Sequence, residues 1–216
     1  MSRFLIWGGG GHGKVIADLV RALGHEIVGF VDSDPARLNL EVEPGGGRVV
    51  MSEDSFLRPI DEGAHLPEGA DAVALAIGDN RKRSDALRRL PPSSAPTLVH
   101  PTAVVSPSAQ IGEGSVVFAR AVIHASARLG AGVIVNTAAV VEHDCVVGDG
   151  AHLAPASVLA GGVRVGELSW IGAGAVVIQG RVVGREVMVG AGAAVVSDVP
   201  DRTTVIGVPA KRLPGD

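Results

Sequence analysis

The chain has 216 residues, 46% of them hydrophobic but only 3% aromatic, with 30 glycines, no tyrosine, one cysteine and a formal net charge of -4. So few aromatic rings exclude nucleic-acid binding by base stacking, and the acidic balance leaves no broad basic face for a phosphate backbone. Hydrophobicity is too high for disorder, no window of about 18 uninterrupted apolar residues is present to form a transmembrane helix, and Cys145 alone cannot form an intrachain disulfide.

The first elements alternate. Phe4 to Trp7 is a short apolar run that turns to glycine at Gly8, without the apolar core of a signal peptide, so the cytoplasm is the expected compartment. Val15, Ile16, Leu19, Val20 and Leu23 have helical spacing, and Gly24 ends that helix. Ile27 to Val31 reads as a second strand ending at Asp32. Residues 33–69, with Pro44 and a Gly45–Gly47 run, read as irregular. Ala72 to Ile77 is a further buried strand, and Arg81 to Leu90 a helix stopped by Pro91-Pro92. Residues 1–95 are therefore expected to form a small α/β domain of βαβ type, with a parallel, Rossmann-like sheet.

From there the period changes. Every sixth residue from Val99 to Val195 is Val, Ile or Leu, without a slip, and a small residue follows four positions after most of them (Ala121, Ala139, Cys145, Ser157 and Ala175 among others). This hexapeptide repeat predicts a parallel β-helix over 96–216 with a C-terminal tail. Each hexad supplies one short strand and one corner, three hexads close an 18-residue coil, and aliphatic and small side chains both point inward. The residue before each inward aliphatic points outward. One outward column reads Val104, Val122, Val140, Val158, Val176. The second reads Leu98, Val116, Ile134, His152, Trp170, Met188, and the third, more polar, Gln110, Arg128, Val146, Arg164, Val182. An all-valine face is expected to be buried, either by other copies of the chain or by the N-terminal domain.

Two segments can carry chemistry. Gly8, Gly10 and Gly13 fit G-x-G-x-x-G after a strand and before a helix, a place for phosphates. Val15 replaces the Ser or Thr of a P-loop, which speaks against an NTPase. Asp32, about 20 residues on, suits a ribose hydroxyl, and so small a sheet suits a mononucleotide or nucleotide sugar better than a dinucleotide. The second segment is Glu142-His143-Asp144-Cys145, at a corner beside the valine face. A histidine with a neighbouring carboxylate is a candidate general base, and equally a solvated corner residue. Gly161 lies 18 residues on, one coil above, where its amide can serve an oxyanion. Cys145 takes an inward small position and reads as core. His152, in an apolar column, is an interface or a cleft residue. No two of His124, His143 and His152 have the five-residue spacing of the zinc β-helix lyases, so no metal is expected.

GGGGHGK at the start, NTAAVVEHDCVVGDGAHLAPAS in the repeat and IGVPAK near the end resemble the bacterial hexapeptide-repeat nucleotide-sugar acetyltransferases. These include the bacillosamine-pathway and perosamine N-acetyltransferases and the sialic acid O-acetyltransferase-like proteins. The resemblance spans almost the whole chain. It implies a left-handed coil, a homotrimer with sites at subunit interfaces, and acetyl-CoA as cosubstrate. It implies His143 as general base, Asp144 as its acidic neighbour, and the Gly161 amide as oxyanion donor. Asn136 would lie near them. Gly10, Gly11, His12, Gly13 and Asp32 would hold the nucleotide, with Gly78 and Asn80 closing that site. His152, Ala173, Ala191, Ile206 and Lys211 would contact acetyl-CoA. The implied reaction is N-acetylation of the 4-amino group of a UDP- or GDP-linked 4-amino-4,6-dideoxy sugar for surface glycan synthesis. O-acetylation of a sugar such as sialic acid and non-catalytic nucleotide-sugar binding are the alternatives. The sequence names neither the sugar nor its nucleotide.

Overall fold

The computed structural model describes residues 1–43, 47–63 and 65–213. Pro44, Gly45 and Gly46 of the glycine-rich run lie outside the described residues. By its contacts the chain divides into two compact units, Met1–Leu98 and Val99–Asp216.

Among its described residues the N-terminal unit is a four-stranded parallel sheet with three helices. Its elements are β1 (Arg3–Trp7), α1 (Gly11–Ala22), β2 (Glu26–Asp32), β3 (Val49–Ser52), α2 (Glu53–Asp61), β4 (Ala72–Leu75) and α3 (Asn80–Arg89). The sheet order is β3-β2-β1-β4. Helix α1 buries Ile16, Ala17, Leu19 and Val20 and ends where Gly24 takes a positive φ of 74°. The stretch 33–69, expected to be irregular, instead holds a 3-10 turn at Pro35–Arg37, strand β3 and helix α2. Pro59 inside α2 hid the helix from a periodicity reading. Ser52 caps it by accepting from the Ser55 N–H at 3.3 Å, Glu53 and Asp54 complement the helix dipole, and Phe56, Leu57 and Ile60 anchor it. Trp7 and Phe56 meet edge-to-face at 5.0 Å in the core between the sheet and α2.

The second unit is a left-handed parallel β-helix. Two-residue strands run from Leu98–Val99 to Ala194–Val195, and all of them fall on the expected hexads. They stack into three parallel sheets whose outward columns are those read from the sequence, each strand in register with the one 18 residues away, as in Val140↔Val158. Inside, the aliphatic and small positions form one dry core in which even Cys145 is fully buried. Its two aromatics, Phe118 and Trp170, are not part of that core. Strand Thr204–Ile206 adds to the His152 sheet, and Lys211–Arg212 pairs antiparallel with it.

The corners have a rule of their own. From Ile111 to Val189 the third residue after each inward aliphatic has a positive φ, from Gly114 (70°) at six-residue intervals to Gly192 (66°). Glycine fills half of these positions; Arg120, Ser126, Ala138, Asp144, Ala156, Leu168 and Glu186 fill the rest. The coil thus imposes the left-handed backbone even where the side chain resists it.

Candidate active site

His143 and Asp144 occupy the corner that follows strand Val140–Val141. The φ of 60° at Asp144 turns its carboxylate back, so that Oδ2 lies 2.8 Å from Nδ1 of His143. Both side chains are about two-thirds exposed, so this pair contributes little to stability; its consequence is orientation. With Nδ1–H donating to the carboxylate, Nε2 keeps its lone pair and is the basic atom. One coil above, Gly161 stands over that atom. A Cβ placed on Gly161 would lie 2.6 Å from Nε2 and 2.7 Å from Cε1. The Gly161 carbonyl accepts from Gly180 N–H at 2.9 Å, while no acceptor for its own N–H is present among the described residues. The basic atom is thereby held against a glycine whose N–H has no acceptor among the described residues.

Asn136 and His152 form a second group on the neighbouring sheet and corner. The Asn136 side-chain oxygen accepts from Thr137 N–H at 2.8 Å, which leaves its amide nitrogen facing His152 Nε2 at 3.1 Å. Asn136 therefore donates to Nε2, and the His152 proton sits on Nδ1. His152 is only 5% exposed and its ring lies 4.1 Å from that of Trp170. Within one chain Asn136 is not beside His143. The corner 136–139 precedes the valine strand Val140–Val141 and the corner 142–145 follows it, so the two groups flank opposite edges of the valine face. Ala173 and Ala191 are exposed on the same corner column as Thr137, joined by the Gly192 N–H donating to the Ala173 carbonyl at 2.8 Å. Ile206 and Lys211 pair in the last antiparallel ladder, both exposed.

In the N-terminal unit a cavity of about 530 Å³ opens at the carboxyl ends of β1, β2 and β4, the edge where parallel α/β sheets place ligands. Gly8, Gly9 and Gly10 form one wall. Gly8 has a φ of 126°, and a side chain there would collide with the Ala76 carbonyl, so the tight loop requires glycine. Gly10 precedes α1 with open space around it, and Gly11, also exposed, starts the helix. Gly13 packs against the Gly8 carbonyl, the close helix–strand approach expected of the third glycine. Asp32 lines the cavity, but its carboxylate is already engaged. Oδ2 accepts from Gly9 N–H (3.0 Å) and from Arg37 (2.7 Å), and Oδ1 from Asp34 N–H (3.0 Å). Arg37 also donates to the Gly9 carbonyl at 2.7 Å. Asp32 and Arg37 thus hold the glycine loop in shape.

Across the cavity, Asp79 caps α3 by accepting from Lys82 N–H at 2.8 Å. Arg83, 1% exposed, donates to the carbonyls of Ile77 (3.0 Å) and Gly78 (3.2 Å) and to the Asn80 side-chain oxygen (2.8 Å), which ties the 77–80 segment together. Burial pulls the Arg83 pKa down to about 10. Burial, with the nearby Arg83 charge, pushes the half-buried His12 down to about 4, so His12 is neutral at physiological pH. Arg37, Arg83, Lys82 and Glu53 were not singled out from sequence. Arg83 and Lys82 are masked there by the charged run of α3, and Glu53 by the unrecognised helix.

A glycine-rich α/β nucleotide fold joined to a hexapeptide β-helix with a corner histidine defines a class, the hexapeptide-repeat acyltransferases that carry a nucleotide-sugar domain. The comparisons agree. Residues 3–90 match the family model described as the PglD N-terminal domain. PerB from Caulobacter crescentus, solved in complex with CoA and GDP-perosamine, is 42% identical, with 99% of this chain and 98% of that chain covered and a TM-score of 0.85. The acetyltransferase domain of PglB from Neisseria gonorrhoeae FA1090 is also 42% identical, covering 99% of this chain and 100% of that one, with a TM-score of 0.86. The UDP-N-acetylbacillosamine N-acetyltransferase of Bacillus subtilis (strain 168) is 39% identical over 121 residues, 55% of this chain and 52% of that protein; the match spans about half the length of this curated relative. The chain belongs to the hexapeptide-repeat nucleotide-sugar acetyltransferase family.

Proposed function

We propose that the protein transfers an acetyl group from acetyl-CoA to the 4-amino group of a nucleotide-linked 4-amino-4,6-dideoxy sugar, a modification suited to surface glycan precursors. The observation that carries this reading is the His143–Asp144 pair beneath Gly161, with Nε2 as the basic atom. An amine attacks a thioester only when deprotonated, so a base near neutrality suffices and no activated serine or cysteine is needed. The buried Cys145, whose thiol is pushed up by burial, is no nucleophile. In the proposed reaction His143 Nε2 takes a proton from the amine as nitrogen bonds to the acetyl carbon. The Gly161 N–H donates to the carbonyl oxygen as it gains charge. The C–S bond then breaks, the thiolate of coenzyme A takes up the proton, and the amide is released.

The glycine loop and Lys82 suit the diphosphate, the loop through helix N-terminal amides and Lys82 through its charge. The exposed Ala173, Ala191, Ile206 and Lys211 suit the coenzyme by leaving a shallow apolar strip with a cation at its end. The proposed assembly is a homotrimer closed through the valine column. Val104 is 64% and Val176 39% exposed in the single chain, a cost that burial against a second copy removes. Such packing would bring the His143 edge of one copy towards the Asn136–His152 edge of the next. Among the described residues no helix is long and apolar enough to cross a membrane.

The test is thiol release from acetyl-CoA with UDP- and GDP-linked 4-amino sugars, for the wild type and His143→Asn. Loss of at least about 100-fold in kcat with the fold intact is expected. A near-wild-type rate in the variant would remove His143 from the chemistry.

A further inference from the structure

Among the described residues, three carboxylates and three cations line the cavity of the N-terminal unit: Asp32, Glu53, Asp85, Arg37, Lys82 and Arg89. Most are spoken for within the chain. Asp32 and Arg37 hold each other and the glycine loop. Asp85 pairs with Arg88, and Arg89 donates to Asp61 at 2.6 Å. Among the described residues, Glu53 and Lys82 have no side-chain partner. Lys82 is exposed; Glu53 is half-buried. A carboxylate that lines a cavity and is unpaired within the described chain is available to the donors of a ligand. Glu53 also opens helix α2 directly after its Ser52 cap, so a hydrogen-bonded turn, not a loose loop, sets its position.

The donors can be identified by their chemistry if the ligand is a nucleotide-linked sugar, as proposed above. The pairing edge of uracil presents one N–H between two carbonyl oxygens, so a carboxylate meets one donor and a repelling oxygen. The pairing edge of guanine presents N1–H and the 2-amino group side by side. These two parallel donors match the two oxygens of one carboxylate, the bidentate arrangement that makes charge-assisted hydrogen bonds selective. The cavity, about 530 Å³, has room for a purine. We propose that Glu53 reads the guanine edge and that the nucleotide sugar acetylated by this protein is GDP-linked rather than UDP-linked. This inference rests on the nucleotide-sugar reading of the cavity and adds the identity of the base.

The experiment is titration calorimetry of the full chain with GDP, IDP and UDP, for the wild type and Glu53→Gln. IDP keeps N1–H but lacks the 2-amino group. GDP is expected to bind about 10- to 100-fold more tightly than UDP and about 10-fold more tightly than IDP. Glu53→Gln is expected to weaken GDP most and to bring the GDP-to-IDP ratio near one. If UDP binds as tightly as GDP, or if the variant weakens GDP and UDP by the same factor as a ribose contact would, the base assignment is wrong while the nucleotide-sugar reading stands. If none of the three binds, both fall. Should the variant melt early, the ranking of the three nucleotides on the wild type still decides the base, and Glu53→Asp, expected to lose the GDP-to-IDP discrimination, decides the residue; a ratio unchanged in Glu53→Asp would overturn it.

Discussion

At the scale of single residues, His143 depends on two neighbours for opposite reasons. Asp144 reaches it only because the corner imposes a left-handed backbone, which aspartate tolerates better than most residues. Gly161 matters for what it lacks, since a methyl there would occupy the space next to Nε2. Gly161→Ala is therefore expected to swing the imidazole aside and lower kcat by about 100-fold. The displaced group is the end of an exposed side chain, so the melting temperature should hardly move; a large drop in melting temperature would instead make the glycine structural. His12 gives a pH signature. Its folded pKa of about 4 lies below the unfolded 6.5, so the unfolded chain binds the proton more readily. The stabilising effect of keeping it neutral is complete above pH 6.5 and is lost as pH falls towards 4. At 1.36 kcal/mol per pH unit this reaches about 3 kcal/mol. Urea melts at pH 7 and pH 4.5 should show a smaller acid loss for His12→Asn than for the wild type, and equal losses would contradict the burial of a neutral ring.

At the scale of elements, the coil was legible almost to the residue, because one aliphatic every six positions admits a single register and the register fixes which side chains point out. The corners were placed but their left-handed backbone was not read, although glycine recurs at half of the positive-φ positions. Leu168, at φ 59°, is the poorest fit among the others. Leu168→Asn should raise stability by roughly 0.5–1 kcal/mol, checked by denaturant midpoint, without affecting activity. The α/β unit was legible only in part. Strands β1, β2 and β4 follow from apolar runs, helix α1 from its spacing and the Gly24 stop, and helix α3 from the stop at Pro91-Pro92. Helix α2 did not, because it is short and holds Pro59, and Glu53 was lost with it. Motif spacing marks Asp32 for ribose, but it cannot reveal that Gly9, Asp34 and Arg37 also donate to its oxygens, since Arg37 approaches from a 3-10 turn with no periodic signature.

At the scale of the whole molecule, the residues implied for catalysis and for coenzyme binding lie on two edges of one valine face, and a trimer would join an edge of each kind. Val140→Asp, in the middle of that face, should give monomers by light scattering and remove activity together; active monomers would show that one chain holds a complete site. The central claim is acetyl transfer to a sugar amine with His143 as base. The most direct measurement is the acetylated product of a GDP-linked 4-amino-4,6-dideoxy sugar and acetyl-CoA, followed by mass spectrometry for the wild type and His143→Asn. A product heavier by one acetyl group, placed on nitrogen and nearly absent with the variant, is the expected result. Acetyl on a hydroxyl, or an equal yield from the variant, would contradict it.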